Sequence, residues 1–232
     1  MKQNNKTVLL FDLDGTLLDS APDLAKAVNH MLVTLNLKEF SQEVIRGWVG
    51  NGARTLVERA LKHSIKHNVL NKTFSEAEIS SALGIFLKYY EHNLCRESVL
   101  YKGVKETLIA LKDKGYRLAI ITNKPAEFIT PIIAGYDLTG LFELLVGGNS
   151  LTERKPHPLP LLHACKVLDV TVDQCIMIGD SKNDIIAARA ANMQSIGLTY
   201  GYNYGEDISV FKPDWCLDTF PELLPLLHKV FC

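Results

Sequence analysis

The 232-residue sequence has no excess charge of either sign: 25 Lys and Arg stand against 26 Asp and Glu. That balance leaves no electrostatic footprint for nucleic acid or an anionic membrane surface, and neither partner is expected. Long apolar runs are also missing. None approaches the ~20 residues of a membrane helix, and the short stretch ending at Phe11 falls below the ~7–15 of a signal-peptide core. The five cysteines, Cys95, Cys165, Cys175, Cys216 and Cys232, are odd in number and never spaced as CxxC. This argues against a disulfide framework or a zinc ribbon, and reduced thiols in a cytoplasmic protein are expected. Repeats, low-complexity segments and flexible linkers are absent too. At this length the chain can bury about 70–75% of its unfolded surface, so folding requires no covalent or metal staple.

What is present is a set of five short apolar runs: Val8–Phe11, Leu118–Ile121, Leu144–Val146, Cys175–Ile178 and Ser195–Leu198. They are continuous rather than alternating, as strands buried on both faces of a parallel sheet are. Helical patterns separate the last four. Val104, Leu108 and Leu111 fall at i, i+4 and i+7 with Gly115 as a stop, and residues 156–168, 182–192 and 219–230 follow. The alternation predicts an α/β, doubly wound parallel sheet with a Rossmann-like core. The interval 19–97 departs from it. Ser20, Pro22 and Asp23 read as an N-cap, a first-turn proline and an N3 acid. Leu24, Val28, Met31, Leu32 and Leu35 continue as a helical stripe. Further helical stretches follow near 41–48, 52–67 and 75–93, with no convincing strand. The expectation is a catalytic core of residues 1–18 and 98–232, with an all-helical domain of residues 19–97 inserted after the first strand.

Open parallel sheets bind ligands at the carboxyl ends of their strands. There the sequence places Asp12-Leu13-Asp14-Gly15-Thr16, Thr122-Asn123-Lys124, Lys155-Pro156 and Gly179-Asp180-Ser181-Lys182-Asn183-Asp184. Asp12 and Asp14 are two apart in an extended segment, so they leave on the same side. Crowded carboxylates call for a cation or a shared proton, and a third, Asp180, favours the cation. All-oxygen ligation with room for substrate oxygens suits Mg²⁺ better than zinc. Mg²⁺, Lys155 and Thr122 together meet the needs of a phosphoryl group. Backbone N–H groups of Leu13–Thr16 are expected to add to the cradle.

The order, spacing and strand-end placement of these four segments resemble the motifs of the haloacid-dehalogenase superfamily, and the helical insertion resembles its cap domain. Within the superfamily, Asp12–Leu24, Thr122–Pro125, Glu153–Pro158 and Leu198–Asn203 resemble the phosphoglycolate phosphatase branch. Asn149 departs from the Asp expected in a Gly-Gly-Asp-Ser stretch. The resemblance implies a Mg²⁺-dependent phosphomonoester hydrolase with Asp12 as nucleophile and Asp14 as general acid and base. It implies metal ligation by the Asp12 carboxylate, the Asp14 main-chain carbonyl and Asp180. Thr122 and Asn123 would position the phosphoryl group, Lys155 would balance its charge, and Asp184 would orient Lys155 or a metal-bound water. The implied partner is a small phosphorylated metabolite, 2-phosphoglycolate first, and the implied assembly a monomer or homodimer. Pyrophosphatase, sugar-phosphate phosphatase and phosphomutase activities remain alternatives, as does a non-catalytic interaction module.

Other patterns carry less. An EF-hand also begins DxDG, but Leu17 and Asp23 occupy the positions that require Gly and Glu. Gly50-Asn51-Gly52 has no preceding strand and no third glycine, so it is not a dinucleotide loop. It reads as a turn between helices or a substrate-facing loop, with Arg54 as a candidate anchor for a substrate carboxylate. His63 and His67 lack the glutamate of a zinc helix and read as a solvated face. His157 is expected to shape the turn carrying Lys155. Tyr200, Tyr202 and Tyr204 read as loop packing, because no basic patch accompanies them.

Overall fold

The computed structural model describes residues 7–68 and 73–231. The expectations for the N-terminal stretch and Cys232, and for the His67 side chain, lie outside the described residues. β1 (Val8–Phe11) leads through a tight turn to β2 (Leu18–Asp19), and four helices follow: α1 (Ala21–Thr34), α2 (Gln42–Arg46), α3 (Ala53–Asn68) and α4 (Glu76–His92). The chain returns at β3 (Val99–Leu100) and continues as α5 (Val104–Asp113), β4 (Arg117–Ile121), α6 (Ile129–Gly135), β5 (Phe142–Val146) and α7 (Leu159–Val167). It ends with β6 (Cys175–Gly179), α8 (Lys182–Ala190), β7 (Gln194–Leu198), β8 (Trp215–Leu217) and α9 (Leu223–Phe231).

Six strands form one parallel sheet in the order β5-β4-β1-β6-β7-β8. The winding reverses at β1, so the crevice that this topology opens lies where β1 is flanked by β4 and β6. The central strands alternate between two buried layers. Leu9, Phe11, Ile176 and Ile178 pack on one face with Leu108, Leu223 and Leu227. Val8, Leu10, Cys175 and Met177 pack on the other with Leu161, Ala164, Ala187 and Ala188. Burial on both faces is why the runs read as continuous in sequence. Burying a single side chain of this size stabilises by about 1.5–3 kcal/mol.

β8 is not among the expected strands, and the reason is its position. It is a three-residue edge strand in which Trp215 is half-buried and Cys216 exposed, and its apolar triplet lies between acids with no helical pattern directly before it. β2 and β3, antiparallel with Leu18 opposite Leu100 and Asp19 opposite Val99, form a two-stranded neck where the helical insertion leaves and rejoins the sheet. Inside the insertion, Ser75 and Glu78 make the reciprocal capping box that starts α4. Ser20 does not cap α1: its hydroxyl makes no cap bond and is buried without a partner among the described residues. Asp23 also differs from a simple N3 acid. Its carboxylate accepts from the backbone N–H groups of Arg96, Glu97 and Ser98 at 3.1, 2.8 and 3.2 Å, and from the Ser98 hydroxyl at 2.6 Å. It pins the returning chain to α1. No helix among the described residues is long and apolar enough to cross a membrane.

Candidate active site

The carboxyl ends of β1, β4 and β6 bring together Asp12, Thr122 and Asp180, and the loop before α7 adds Lys155. The Lys155 ammonium is buried and donates to the Ile121 carbonyl at 2.5 Å and to Asp184 Oδ1 at 2.6 Å, with Asp12 Oδ1 at 3.1 Å. Burial alone would lower its pKa, but Asp12 and Asp184 outweigh that and hold it above its ordinary value. Asp184 is the N3 residue of α8. It accepts from the Ser181 N–H and hydroxyl, both at 3.0 Å, so one carboxylate serves as helix cap and as lysine holder.

Asp12, Asp180 and Asp184 are all buried, and each presents an oxygen within 4.8 Å of the others. Burial, opposed by Lys155 and reinforced by Asp184, pushes the Asp12 carboxyl up to about 6. Burial and the charges of Asp12 and Asp184 raise Asp180 well above the carboxylate range. Three acids crowded away from water form a donor set that fits a hard divalent cation, whose charge would remove that repulsion. The Asp180 oxygens are aimed by the Thr16 hydroxyl and the Tyr202 N–H, both at 2.6 Å. Gly15 permits this closeness: at φ +89° an added Cβ would lie 2.3 Å from Asp180 Oδ2.

Several expected roles change in detail. Three N–H groups of the Leu13–Thr16 backbone are committed within the chain. The Leu13 N–H donates to Asp12 Oδ1 at 2.7 Å, that of Gly15 to Leu18 at 2.8 Å, and that of Thr16 to Leu13 at 3.3 Å. The Asn123 amide hydrogens go to the carbonyls of Lys155 and Gly50, at 2.9 and 3.1 Å, while its Oδ1 has no partner among the described residues. Asn123 thus ties the lysine loop to the Gly50 turn of the insertion. That turn faces the site, lining a cavity with Asp12 and Asp14. Arg54 does not: it pairs with Glu58 at 2.9 Å and with Glu76 on the outer surface. His63 is half-buried rather than solvated, its ring tilted against Trp48 at a centroid distance of 4.7 Å. His157 accepts from the Leu159 N–H at 3.1 Å and so shapes the turn after Lys155. Asn149, where an acid was expected, bonds the Ala126 N–H and Glu127. The three tyrosines pack as loop residues. Tyr200 donates to the Thr16 carbonyl, Tyr202 to Asp19, and Tyr204 to Asn51.

Two residues went unassigned in the sequence. Lys124 is buried and donates to both Asp14 oxygens, at 2.9 and 3.1 Å, and to the Tyr90 hydroxyl at 2.7 Å. The Asp14 side chain is therefore turned toward Lys124, not toward the three-acid cluster. Burial pushes the Tyr90 hydroxyl up to about 12, so it keeps its proton at neutral pH. Lys124 had a signal, since it directly follows Thr122-Asn123. Tyr90 had none, lying on α4 within the insertion.

Comparison with known proteins agrees with this geometry. The family model described as haloacid dehalogenase-like hydrolase matches residues 9–198. The chain is 59% identical to the phosphoglycolate phosphatase of Colwellia psychrerythraea, over 99% of this chain and 100% of that one. It is 46% identical to the phosphoglycolate phosphatase of Haemophilus influenzae strain 86-028NP, over 94% and 96%. Among solved structures, one described as a predicted phosphoglycolate phosphatase from Haemophilus somnus 129PT superimposes with a TM-score of 0.91 at 42% identity, covering 97% of this chain and 99% of that one. Its strand-end acids, buried lysine and parallel sheet accord with that match over most of its length: the chain belongs to the haloacid dehalogenase-like hydrolase family.

Proposed function

We propose that this enzyme hydrolyses 2-phosphoglycolate to glycolate and phosphate, using Mg²⁺ and an aspartyl-phosphate formed on Asp12. The observation that carries the reading is the buried Lys155 held between Asp12 and Asp184, beside the three-acid cluster at the carboxyl end of β1. The curated relatives carry the choice of substrate. Residues 1–18 and 98–232 act as the catalytic core, and residues 19–97 as a cap that shields the reaction from water. The scattered thiols and the small soluble substrate support a cytoplasmic location.

In this mechanism an Asp12 oxygen attacks phosphorus as the ester P–O bond breaks, and the departing alkoxide takes a proton from Asp14. Asp14 then removes a proton from water, whose oxygen attacks phosphorus and releases phosphate from Asp12. Lys155 neutralises charge beside the nucleophile, Thr122 positions the phosphoryl group, and Asn123, its amide hydrogens committed to Lys155 and Gly50, fixes the lysine loop beside it. Magnesium, held by the Asp12 and Asp180 carboxylates and the Asp14 main-chain carbonyl, would supply charge neutralisation for the phosphoryl oxygens. Asp184 keeps Lys155 in place.

The test is phosphate release across a panel of small phosphate esters with Mg²⁺. The highest kcat/KM is expected for 2-phosphoglycolate, with activity lost in excess chelator and restored by Mg²⁺. Asp12→Asn keeps the shape and removes the nucleophile, so turnover of every ester should fall at least ~10³-fold. Near-wild-type turnover by that variant refutes the mechanism, and full activity in chelator refutes the metal.

A further inference from the structure

We propose that Tyr90 and Lys124 form the recognition site for a carboxylate at the non-phosphoryl end of the substrate, with Tyr90 as the specificity-determining residue on the helical insertion. The proposal rests on the preceding reading only in placing the phosphoryl group at Asp12.

The cavity has two unlike walls. The sheet wall carries Asp12, Asp14, Thr122, Asn123 and Lys124. On the insertion side, Leu24, Val49, Leu56 and Phe86 contribute no hydrogen-bonding side chain, and Tyr90 is the single hydroxyl among the described residues. Lys124 is the one cationic side chain lining this cavity among the described residues. A polar group of the substrate lying against the insertion therefore has Tyr90, Lys124 and the backbone of the Gly50–Ala53 turn to meet it. Lys155 sits beside Asp12 and Lys124 beside Asp14, so the two buried cations flank the two acids. That arrangement suits a molecule carrying an anionic group at each end.

Tyr90 is built to read such a group. Its ring is stacked on Phe86 at a centroid distance of 5.8 Å and meets the edge of Phe128 at 5.1 Å, which fixes the direction of the hydroxyl. The oxygen accepts from Lys124 at 2.7 Å, while its own hydrogen has no acceptor among the described residues. A buried donor without an acceptor is unusual in a folded protein, and a ligand oxygen would satisfy it. Lys124 already neutralises one carboxylate there, and a second carboxylate can share the ammonium while accepting from the phenol. A neutral ester gains neither interaction.

The experiment compares 2-phosphoglycolate, 3-phosphoglycerate and ethyl phosphate, the last a neutral-ended counterpart, for the wild type and Tyr90→Phe. A thermal melt confirms that the variant folds. The wild type should favour a carboxylated ester, and Tyr90→Phe should cut that preference roughly 10-fold, through KM, as loss of a bond to a charged group does. Its kcat/KM for ethyl phosphate should fall by a clearly smaller factor than that for the carboxylated esters. Equal losses on all esters, or none, overturn the proposal. Wild-type preference for 2-phosphoglycolate that survives unchanged in Tyr90→Phe overturns it and leaves the substrate reading standing. Preference for 3-phosphoglycerate that collapses in the variant supports it and overturns that reading. No carboxylate preference in the wild type overturns both.

Discussion

The sheet edge and the helical insertion meet at the same cavity, yet different forces organise them. At the sheet edge Asp12, Lys155 and Asp184 are buried in a chain of charge-assisted contacts at 2.6–3.1 Å, with Asp180 alongside. The insertion is an apolar bundle in which Val28, Leu32, Leu61, Ala82 and Phe86 pack together. The two regions join through shared apolar packing, in which Tyr90 meets Phe128, and through polar links: Lys124 to Tyr90, Asn123 to Gly50, Tyr204 to Asn51, and Asp19 to Arg46 at 2.7 Å. A buried ionic network loses much when any member is removed, whereas an apolar bundle tolerates change at its surface. The ionic groups therefore gather at the sheet edge, and the insertion gives the cavity its apolar wall.

The sharpest way to break this contrast is Lys155→Met. It leaves Asp12 and Asp184 facing one another without their shared cation, and stability should fall by about 3–5 kcal/mol in urea unfolding. A loss below about 1 kcal/mol would mean that the network contributes nothing structural. Next is Gly52→Ala at the seam. Its φ of +84° disfavours a side chain, and an added Cβ would stand 3.0 Å from the Asn123 carbonyl. The expected cost is about 1–2 kcal/mol, with KM raised for every ester because the turn shifts against Asn123. Smallest is Arg54→Ala on the outer insertion surface, where the ion pairs are exposed. Stability should change by no more than about 0.5 kcal/mol, and KM for 2-phosphoglycolate should not move. A raised KM there would return Arg54 to the substrate site.

The core strands were legible because burial on both faces writes an uninterrupted apolar run, and the acids were legible because each directly follows such a run. Weaker elements were not. β8 is short and half exposed, and two residues each in β2 and β3 carry no pattern at all. In the site, Asp12, Thr122, Lys155, Asp180 and Asp184 come together at the strand ends where the sequence places them. Tyr90 carries no such signal because its relevance depends on α4 reaching Lys124 and Phe128, which follow β4. Asp23 shows a different limit. Its helical position was readable, but its partners, Arg96 to Ser98, come from the far end of the insertion.

Local patterning in the chain already specifies the parallel α/β core, the helical insertion and the acids and lysine at the strand ends. These are written in periodicity and in position relative to strand ends, both local properties. Tertiary structure alone decided what each polar group touches. It turned Arg54 outward to Glu76, committed the Asn123 amide to Lys155 and Gly50, and brought Lys124 between Asp14 and Tyr90. Hydrogen bonds form over about 3 Å, and only the packing of sheet against insertion brings residues so far apart in the chain within that reach.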